Sequence, residues 1–539
     1  MAGLGTMIRL ILRRDRVKLP LWIVGFVGTL VAMVPLLRDV YGDEASLQTM
    51  HATFGLNPSA LFMTGPMDEP TFGALFSLET LIWWGIAIAF LNTLLIVRHT
   101  RHNEEIGAQE LLLSGQMKRS TSLVAALVVA LGVNALIVLG IGAGLEATDP
   151  GWATSQSWLF ALAMGAFGLA WAAIASVVVQ LTESGRSANG MLAGLIGVGF
   201  IVRGIGDFLG ESNDAGVHIA HWASSLSPFG WMQATRPLTS VDWSALLVPV
   251  LFAAVATTLG FILLSRRDVG EGLLPSRRGK QRASRLLASP LGLTLYLQKN
   301  TFIGWLVAVV VMVAMIGVLV PQMSDMFDSS EGMRHVVESI GGAGELVSTF
   351  LTAMIAITCL MVFAYTIQSL GKLRSEEASG HIESLLATKL SRFKWAALHV
   401  GTVFIGGTVM LATIGLTLAL LVNGISDFTV DVREYTLAGL SYVPLMLAFM
   451  ALYLMLFGLL PRVAGGLTWL YFGFVAFALW LGPIVQLSQS IMNLSIMEHI
   501  TAPPAEEIAW EPLLVITAIA LAFILVAFAA WRRRDMKTS

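Results

Sequence analysis

A chain of 539 residues with 56% hydrophobic and 13% charged side chains falls well below the roughly 25% charge of a soluble domain. Its mean hydropathy is +0.75, which excludes an ordinary soluble globular protein and points to lipid. The formal net charge of −2 singles out no partner, and nucleic acid is not expected among them.

A membrane span needs about 20 apolar residues to cross a hydrocarbon core of ~30 Å, and its backbone must satisfy its own hydrogen bonds, so it is helical. Along the chain this predicts an all-α polytopic membrane protein with twelve transmembrane helices. They fall at about 20–37, 74–97, 122–145, 157–180, 188–206 and 244–264 in the first half, and 302–321, 347–370, 395–422, 436–460, 467–486 and 511–531 in the second. The Arg-rich N-terminal stretch precedes a long apolar run without a small-x-small cleavage site, so it is expected to stay attached. Cys359 is the only cysteine, so no intrachain disulfide forms.

The stretch 265–287, "SRRDVGEGLLPSRRGKQRASRLL", has no apolar span and marks the midpoint. On either side lie halves of the same layout, 1–264 and 288–539, read as two tandem six-helix repeats in parallel orientation. Each opens with a segment of mixed polarity, "GTMIRLILRRDRVK" or "PLGLTLYLQKN". Each has an acidic loop after its first span, at 38–73 or 322–346. Each closes on Arg-Arg-Asp, at 266–268 and 533–535.

Lys and Arg set the expected orientation. With a cytoplasmic N-terminus, the outer loops hold only Arg38, Arg236, Arg334 and Arg433, and Arg203 sits at a span edge. The other 28 of the 33 Lys and Arg residues lie on the inner side. This is the positive-inside pattern, and it predicts a multi-pass protein of the cell membrane with both termini cytoplasmic.

Between the second and third spans of each half lies a charged island. Residues 98–119 read "RHTRHNEEIGAQELLLSGQMKR" and residues 371–392 read "GKLRSEEASGHIESLLATKLSR". The pairs Arg101/Arg374, Glu104/Glu377, Gly107/Gly380, Glu110/Glu383, Leu112/Leu385, Leu113/Leu386 and Arg119/Arg392 all stand 273 positions apart. Positions i, i+3, i+6 and i+9 trace one helical face, which predicts an amphipathic helix under the membrane. A glycine inside a helix costs about 1 kcal/mol relative to alanine. Its presence in both islands suggests a surface that another molecule approaches closely.

With these islands and the arginine-rich span ends, the chain resembles the permeases of type 2 ABC exporters. More narrowly, it resembles the double-length actinobacterial permeases described as exporters of polyketide or tetronasin-like antibiotics. That resemblance implies an amphipathic connecting helix at the start of each half, here 4–18 and 288–300. It implies a coupling helix after the second span that docks in a cleft of the ATPase, here 101–113 and 374–386. The coupling residues would be Arg101, Glu104, Gly107 and Glu110, with Arg374, Glu377, Gly380 and Glu383. It also implies short re-entrant or outer helices before the last span of each half, at 207–241 and 487–508.

A phosphate loop needs Gly, four residues, then Gly-Lys and Ser or Thr. Gly279-Lys280 is followed by Gln281 and Gly371-Lys372 by Leu373, so neither fits. No catalytic, cofactor or metal site is therefore expected in this chain. ATP and Mg would be bound by a dimer of a separate ATPase. Charge within the spans is sparse: Glu79, and Arg203 with Asp207 four residues on in "GFIVRGIGDF". Intramembrane charges usually face the interior and pair, so these three are candidates for a translocation path or outer gate. A helix-end ion pair that orders the outer segment is the plainer reading for Arg203–Asp207. Gly140/Gly144 and Gly190/Gly194 have the spacing of close helix packing.

Three functions compete. The first is a permease driven by a separate ATPase, exporting hydrophobic or amphipathic small molecules by alternating access. The second is a proton-coupled twelve-span secondary transporter, which would favour short outer loops and more deep charge. The third is a membrane enzyme, which would need a convergent cluster of carboxylates or histidines. Asp39, Asp43, Glu44, Asp68 and Glu69 look scattered, and His221 and His499 look solitary. The first reading fits best.

Overall fold

The computed structural model describes residues 3–55, 57–115, 117–148, 151–212, 218–274, 284–328, 343–388, 390–426, 428–482 and 487–534. These fall into two units, 1–279 and 280–539. Among the described residues, eleven helices are long and apolar enough to cross a membrane. The protein is an all-α, multi-pass membrane protein.

The first unit begins with a short helix, α1 (Leu4–Arg14), that buries Met7 and Ile11. A turn at Asp15–Val17 separates it from α2 (Lys18–Tyr41). The connection between α2 and the next long helix is itself helical. Asp43 accepts the Ser46 N–H to start α3 (Glu44–Phe54), and α4 (Pro58–Met63) follows. Thr71 caps α5 (Phe72–His99). The first island forms α6 (Arg101–Glu105) and α7 (Ala108–Leu113). Then come α8 (Thr121–Ala147), α9 (Thr154–Leu181) and α10 (Gly185–Phe208). A two-residue ladder, β1 (Glu211–Ser212) with β2 (His218–Ile219), and α11 (Pro228–Ala234) lead to α12 (Leu247–Arg266).

Helix α9 is the centre of this unit and packs against α5, α8 and α12. Buried residues fill 78% of its span, against 17% for the span that ends in α12. A helix that is apolar all round belongs in a core or in lipid, and these two show both cases. Gly140 and Gly144 sit against Val27 and Val31 of α2, whereas Gly190 and Gly194 face open space. One pair therefore serves close packing of α2 on α8, and the other does not.

The second unit contains α13 (Pro290–Asp328), α14 (Ala343–Ala378) and α15 (His381–Leu386). It continues with α16 (Arg392–Ile425), α17 (Val432–Leu440), α18 (Val443–Leu459) and α19 (Ala464–Leu481). It closes with α20 (Gln489–Met492) and α21 (Trp510–Arg533). Here α21 packs on α18 as α12 packs on α9.

Four expectations change in detail. The mixed segment 288–300 is not a separate connecting helix, because from Pro290 it runs unbroken into the span as α13. The span expected at 436–460 is broken between α17 and α18, where Pro444 enters the second helix at its first turn. The span expected at 467–486 ends sooner, and α19 is the short apolar helix beside the eleven. Most of the acidic loop 322–346 lies outside the described residues.

Candidate coupling site: two matched islands

Neither island is one continuous helix. Each is broken at its glycine, and the break is the same in both. Gly107 has φ 71 and ψ 0; Gly380 has φ 72 and ψ −1. This left-handed conformation is cheap only for glycine. The Gly107 N–H donates to the Glu104 carbonyl at 3.0 Å and the Gly380 N–H to the Glu377 carbonyl at 3.3 Å. Such bonds close off helices whose next residue turns left-handed. A Cβ at either glycine would meet nothing within 4 Å. Backbone conformation, rather than a crowding neighbour inside the unit, therefore requires glycine here.

The first matched glutamate of each island, Glu104 or Glu377, points inward. Glu104 is gripped by Arg267, whose two terminal nitrogens reach its two carboxylate oxygens at 2.6 and 2.8 Å. The Arg267 Nε donates to the Gln180 side chain at 2.7 Å. Arg101 also donates to Glu104, at 2.5 Å, and to the carbonyls of Thr182 and Glu271. Arg101 and Arg267 are both buried. A fork of two parallel charged hydrogen bonds is among the stronger polar contacts a protein makes. The island is thereby tied to the end of α9 and to the chain just past α12.

The second unit repeats the tie. Arg534 forms an ion pair with the buried Glu377 and donates to the Phe457 carbonyl at 2.7 Å. Arg534 also lies over the Phe457 ring. A further matched pair reinforces both ties. Arg119 donates to the Arg267 carbonyl. Arg392 donates to the carbonyls of Arg532 at 3.0 Å and Arg534 at 3.3 Å. The second residue of each terminal Arg-Arg-Asp is thus the arginine that holds its own island. Arg374 departs from the pattern: it is half-buried and makes no hydrogen bond among the described residues. Arg101 finds an acceptor four residues past Arg267, at Glu271; the position four past Arg534 lies outside the described residues.

Other island residues face outward. Glu110 and Glu383 are exposed and unpaired among the described residues. Beside them stand Leu111, 78% exposed, in the first island and Ser384 in the second. Ile106 is exposed too, and its counterpart is Ser379. The polar face predicted from spacing therefore divides in two, with Arg101, Glu104 and Glu377 turned into the unit and Glu110 and Glu383 turned away.

Arg203 and Asp207 lie in contact at 3.3 Å, both buried. Arg203 also donates to the carbonyls of Leu61 at 3.3 Å and Met63 at 2.8 Å. Asp207 accepts from the Ser224 hydroxyl at 2.9 Å, and its carbonyl faces the His218 ring nitrogen at 2.8 Å. The pair thus fastens α4 and the segment after α10 to the end of α10. Glu79 is separate from this knot. It is half-buried in α5 and has no hydrogen-bonding or ionic partner among the described residues.

Residues that the sequence did not single out also pair. Asp15 meets Arg98 at 2.9 Å and the His99 ring nitrogen at 2.5 Å, which ties the α1–α2 turn to the end of α5. Lys372, the positional match of His99, donates to Leu297 and Thr301 of α13 in the second unit. Asn92 and Asn134 exchange amide hydrogen bonds between α5 and α8 at 2.6 and 3.2 Å.

Among the described residues no three His, Cys, Asp or Glu side chains gather as a metal site would require. Apolar helices of membrane length, with most of their polar contacts tying helix ends, fit a membrane permease. The chain belongs to the family described as multidrug efflux system permease Rv1217c, C-terminal domain, which it matches over residues 4–264 and 287–532. It is 32% identical over 547 residues to the multidrug efflux system permease protein Rv1217c of Mycobacterium tuberculosis (strain ATCC 25618 / H37Rv), covering 98% of this chain and 95% of that protein.

Proposed function

We propose that this protein is the transmembrane permease of an ATP-driven exporter that moves hydrophobic or amphipathic, drug-like small molecules out of the cell by alternating access. A dimer of a separate ATPase subunit binds ATP and Mg and docks on the two islands, with both termini cytoplasmic. The observation that carries this reading is the repeated island, with its left-handed glycine, inward glutamate held by a terminal arginine and outward glutamate. Two equivalent grips suit two copies of one partner. Membership of a permease family and the multidrug efflux role stated for the mycobacterial relative support the substrate class. Within that class, antibiotics of polyketide or tetronasin type remain the narrower proposal.

The test is co-purification with the candidate ATPase, followed by substrate-stimulated ATP hydrolysis and efflux. Binding and stimulation support the reading. Efflux that needs no ATPase and collapses with a protonophore favours a proton-coupled secondary transporter. Glu79 within α5, without a partner among the described residues, favours that second reading, because proton-coupled pathways use intramembrane carboxylates.

A further inference from the structure

The first unit contains a cavity of about 860 Å³ that the coupling scheme does not use. It lies where α2 begins, α5 ends and α10 begins, at one edge of the membrane-spanning segments. One wall is apolar, with Leu19, Trp22, Leu91, Leu94 and Leu95. The rest is charged. Arg98 is matched by Asp15 at 2.9 Å, and Glu105 accepts the Gly185 N–H at 3.1 Å and faces His102 at 3.8 Å. Arg14 donates to the neutral side chain of Asn103 at 2.7 Å, so its charge is not balanced there. Lys18 and Arg186 are exposed and have no partner among the described residues. Three cations therefore face the space with one carboxylate, Glu105, to offset them.

A second space of about 510 Å³ adjoins the first and shares Trp22 with it. It follows α2 and α5 deeper into the apolar region, lined by Phe26, Trp83, Trp84 and Ala87. Trp84 is fixed by its indole N–H to the Phe26 carbonyl at 3.2 Å. Gly25 leaves the floor open, since a Cβ there would meet nothing within 4 Å. Together the two spaces place a cationic chamber at the membrane edge and an aromatic groove leading inward from it. Ligand cavities of 300–1,000 Å³ typically pair apolar walls with a few placed polar groups. Basic pockets between membrane helices suit lipid head groups.

We infer that this compartment binds an anionic amphiphile, with its phosphate or carboxylate among Arg14, Lys18 and Arg186 and its tail along Trp22, Trp83 and Trp84. The same chemistry has two sources: a resident anionic phospholipid, or a free amphiphile that enters from the membrane edge. The inference stands apart from the ATPase reading, since binding is measured with no ATPase and no transport.

The test uses the full chain in detergent with equal amounts of phosphatidylglycerol and phosphatidylcholine, with retained lipid counted by native mass spectrometry. A second arm titrates dodecyl phosphate by calorimetry. Lys18→Gln and Arg186→Gln remove cations that have no partner among the described residues, and Gly25→Leu fills the groove without changing charge. Selective retention of phosphatidylglycerol is expected, falling about fivefold for each cation removed, the factor for ~1 kcal/mol per Lys or Arg near lipid phosphate, and falling also in Gly25→Leu. Equal retention of the two lipids, with dodecyl phosphate affinity lowered by the same three variants, assigns the site to the free amphiphile. If neither phosphatidylglycerol retention nor dodecyl phosphate affinity responds to any of the three variants, the site does not exist.

Discussion

Arg267 grips Glu104 through two guanidinium nitrogens, at 2.6 and 2.8 Å, and Arg534 makes the matching ion pair with Glu377. Removing one member of a buried ion pair costs about 3–5 kcal/mol, because the other is left charged and unmatched. Glu104→Gln and Arg267→Gln should each lower the temperature at which the purified protein inactivates. The double change should cost less than the sum, since neither member of this pair then faces a missing partner, while the buried Arg101 loses Glu104 in Glu104→Gln and in the double change alike. Strict additivity would show that the two residues act independently.

Gly107 and Gly380 should tolerate alanine poorly despite the open space around them. A left-handed residue with a Cβ costs roughly 1–2 kcal/mol, enough to redirect the short helix that follows. Gly107→Ala and Gly380→Ala are expected to insert normally and to bind the ATPase several-fold more weakly. Asparagine, which visits this conformation more readily, should restore part of the loss. Equal binding by alanine and asparagine variants would refute the conformational explanation.

Arg203 and Asp207 should behave as one unit. Arg203 holds two carbonyls of the segment around α4, while Asp207 holds Ser224. Asp207→Asn leaves a buried guanidinium without its counter-charge, and Arg203→Gln leaves the carboxylate likewise, so either should reduce yield of folded protein. A double-mutant cycle on expression and thermal inactivation should return a coupling above 1 kcal/mol, in the range for residues that share a network (about 0.5–3 kcal/mol). Protease sensitivity after α10 should rise in the single variants, since that segment loses its tether.

Much of this architecture could be read from composition and spacing, because lipid imposes one secondary structure and one minimum length. The island repeat was legible as well, and so was the Arg203–Asp207 spacing. What the spacing could not give was direction. An i, i+3, i+6, i+9 face assumes a continuous helix, and a left-handed glycine in its middle turns the second half away from the first. Hence Glu104 faces Arg267 while Glu110 faces out. The signal for the arginine tie was present as the doubled Arg-Arg-Asp and the Arg119/Arg392 match. Linking them needed contacts 148 and 163 residues apart, which no local pattern encodes. The helices α3 and α4 between the first two spans were missed for a similar reason. Asp43 and Thr71 are good caps, but hydropathy alone reads a polar stretch as a loop.

Orientation can be tested directly, because Cys359 is buried and will not report. Cysteine introduced at the exposed Gln48 of α3 should react with an impermeant maleimide added to intact cells. Cysteine at the exposed Ser114, after the first island, should react only after the membrane is opened. The reverse pattern would invert the topology and remove the islands from the ATPase side.

The docking proposal makes its sharpest demand on the residues that face outward. Glu110 and Glu383 occupy matched positions, stand exposed and have no partner among the described residues, so their charge is available to another protein. Reversal to lysine should leave insertion and thermal inactivation unchanged, since no internal contact is lost. It should weaken ATPase capture in low salt and do so less at high salt, where exposed pairs are screened within about 10 Å or less. The neighbours are not matched: Leu111 is 78% exposed where the second island has Ser384, and Ile106 is exposed where it has Ser379. Burying an exposed leucine is worth about 1.5–3 kcal/mol, so the first island should hold its ATPase the more tightly. Leu111→Ser should then cost more binding than Glu110→Lys, and Ser384→Leu should strengthen the second island. Capture and stimulated ATP hydrolysis that are indifferent to all four changes would mean that the partner does not rest on these faces. In that case the arginine ties would serve the fold of each unit alone.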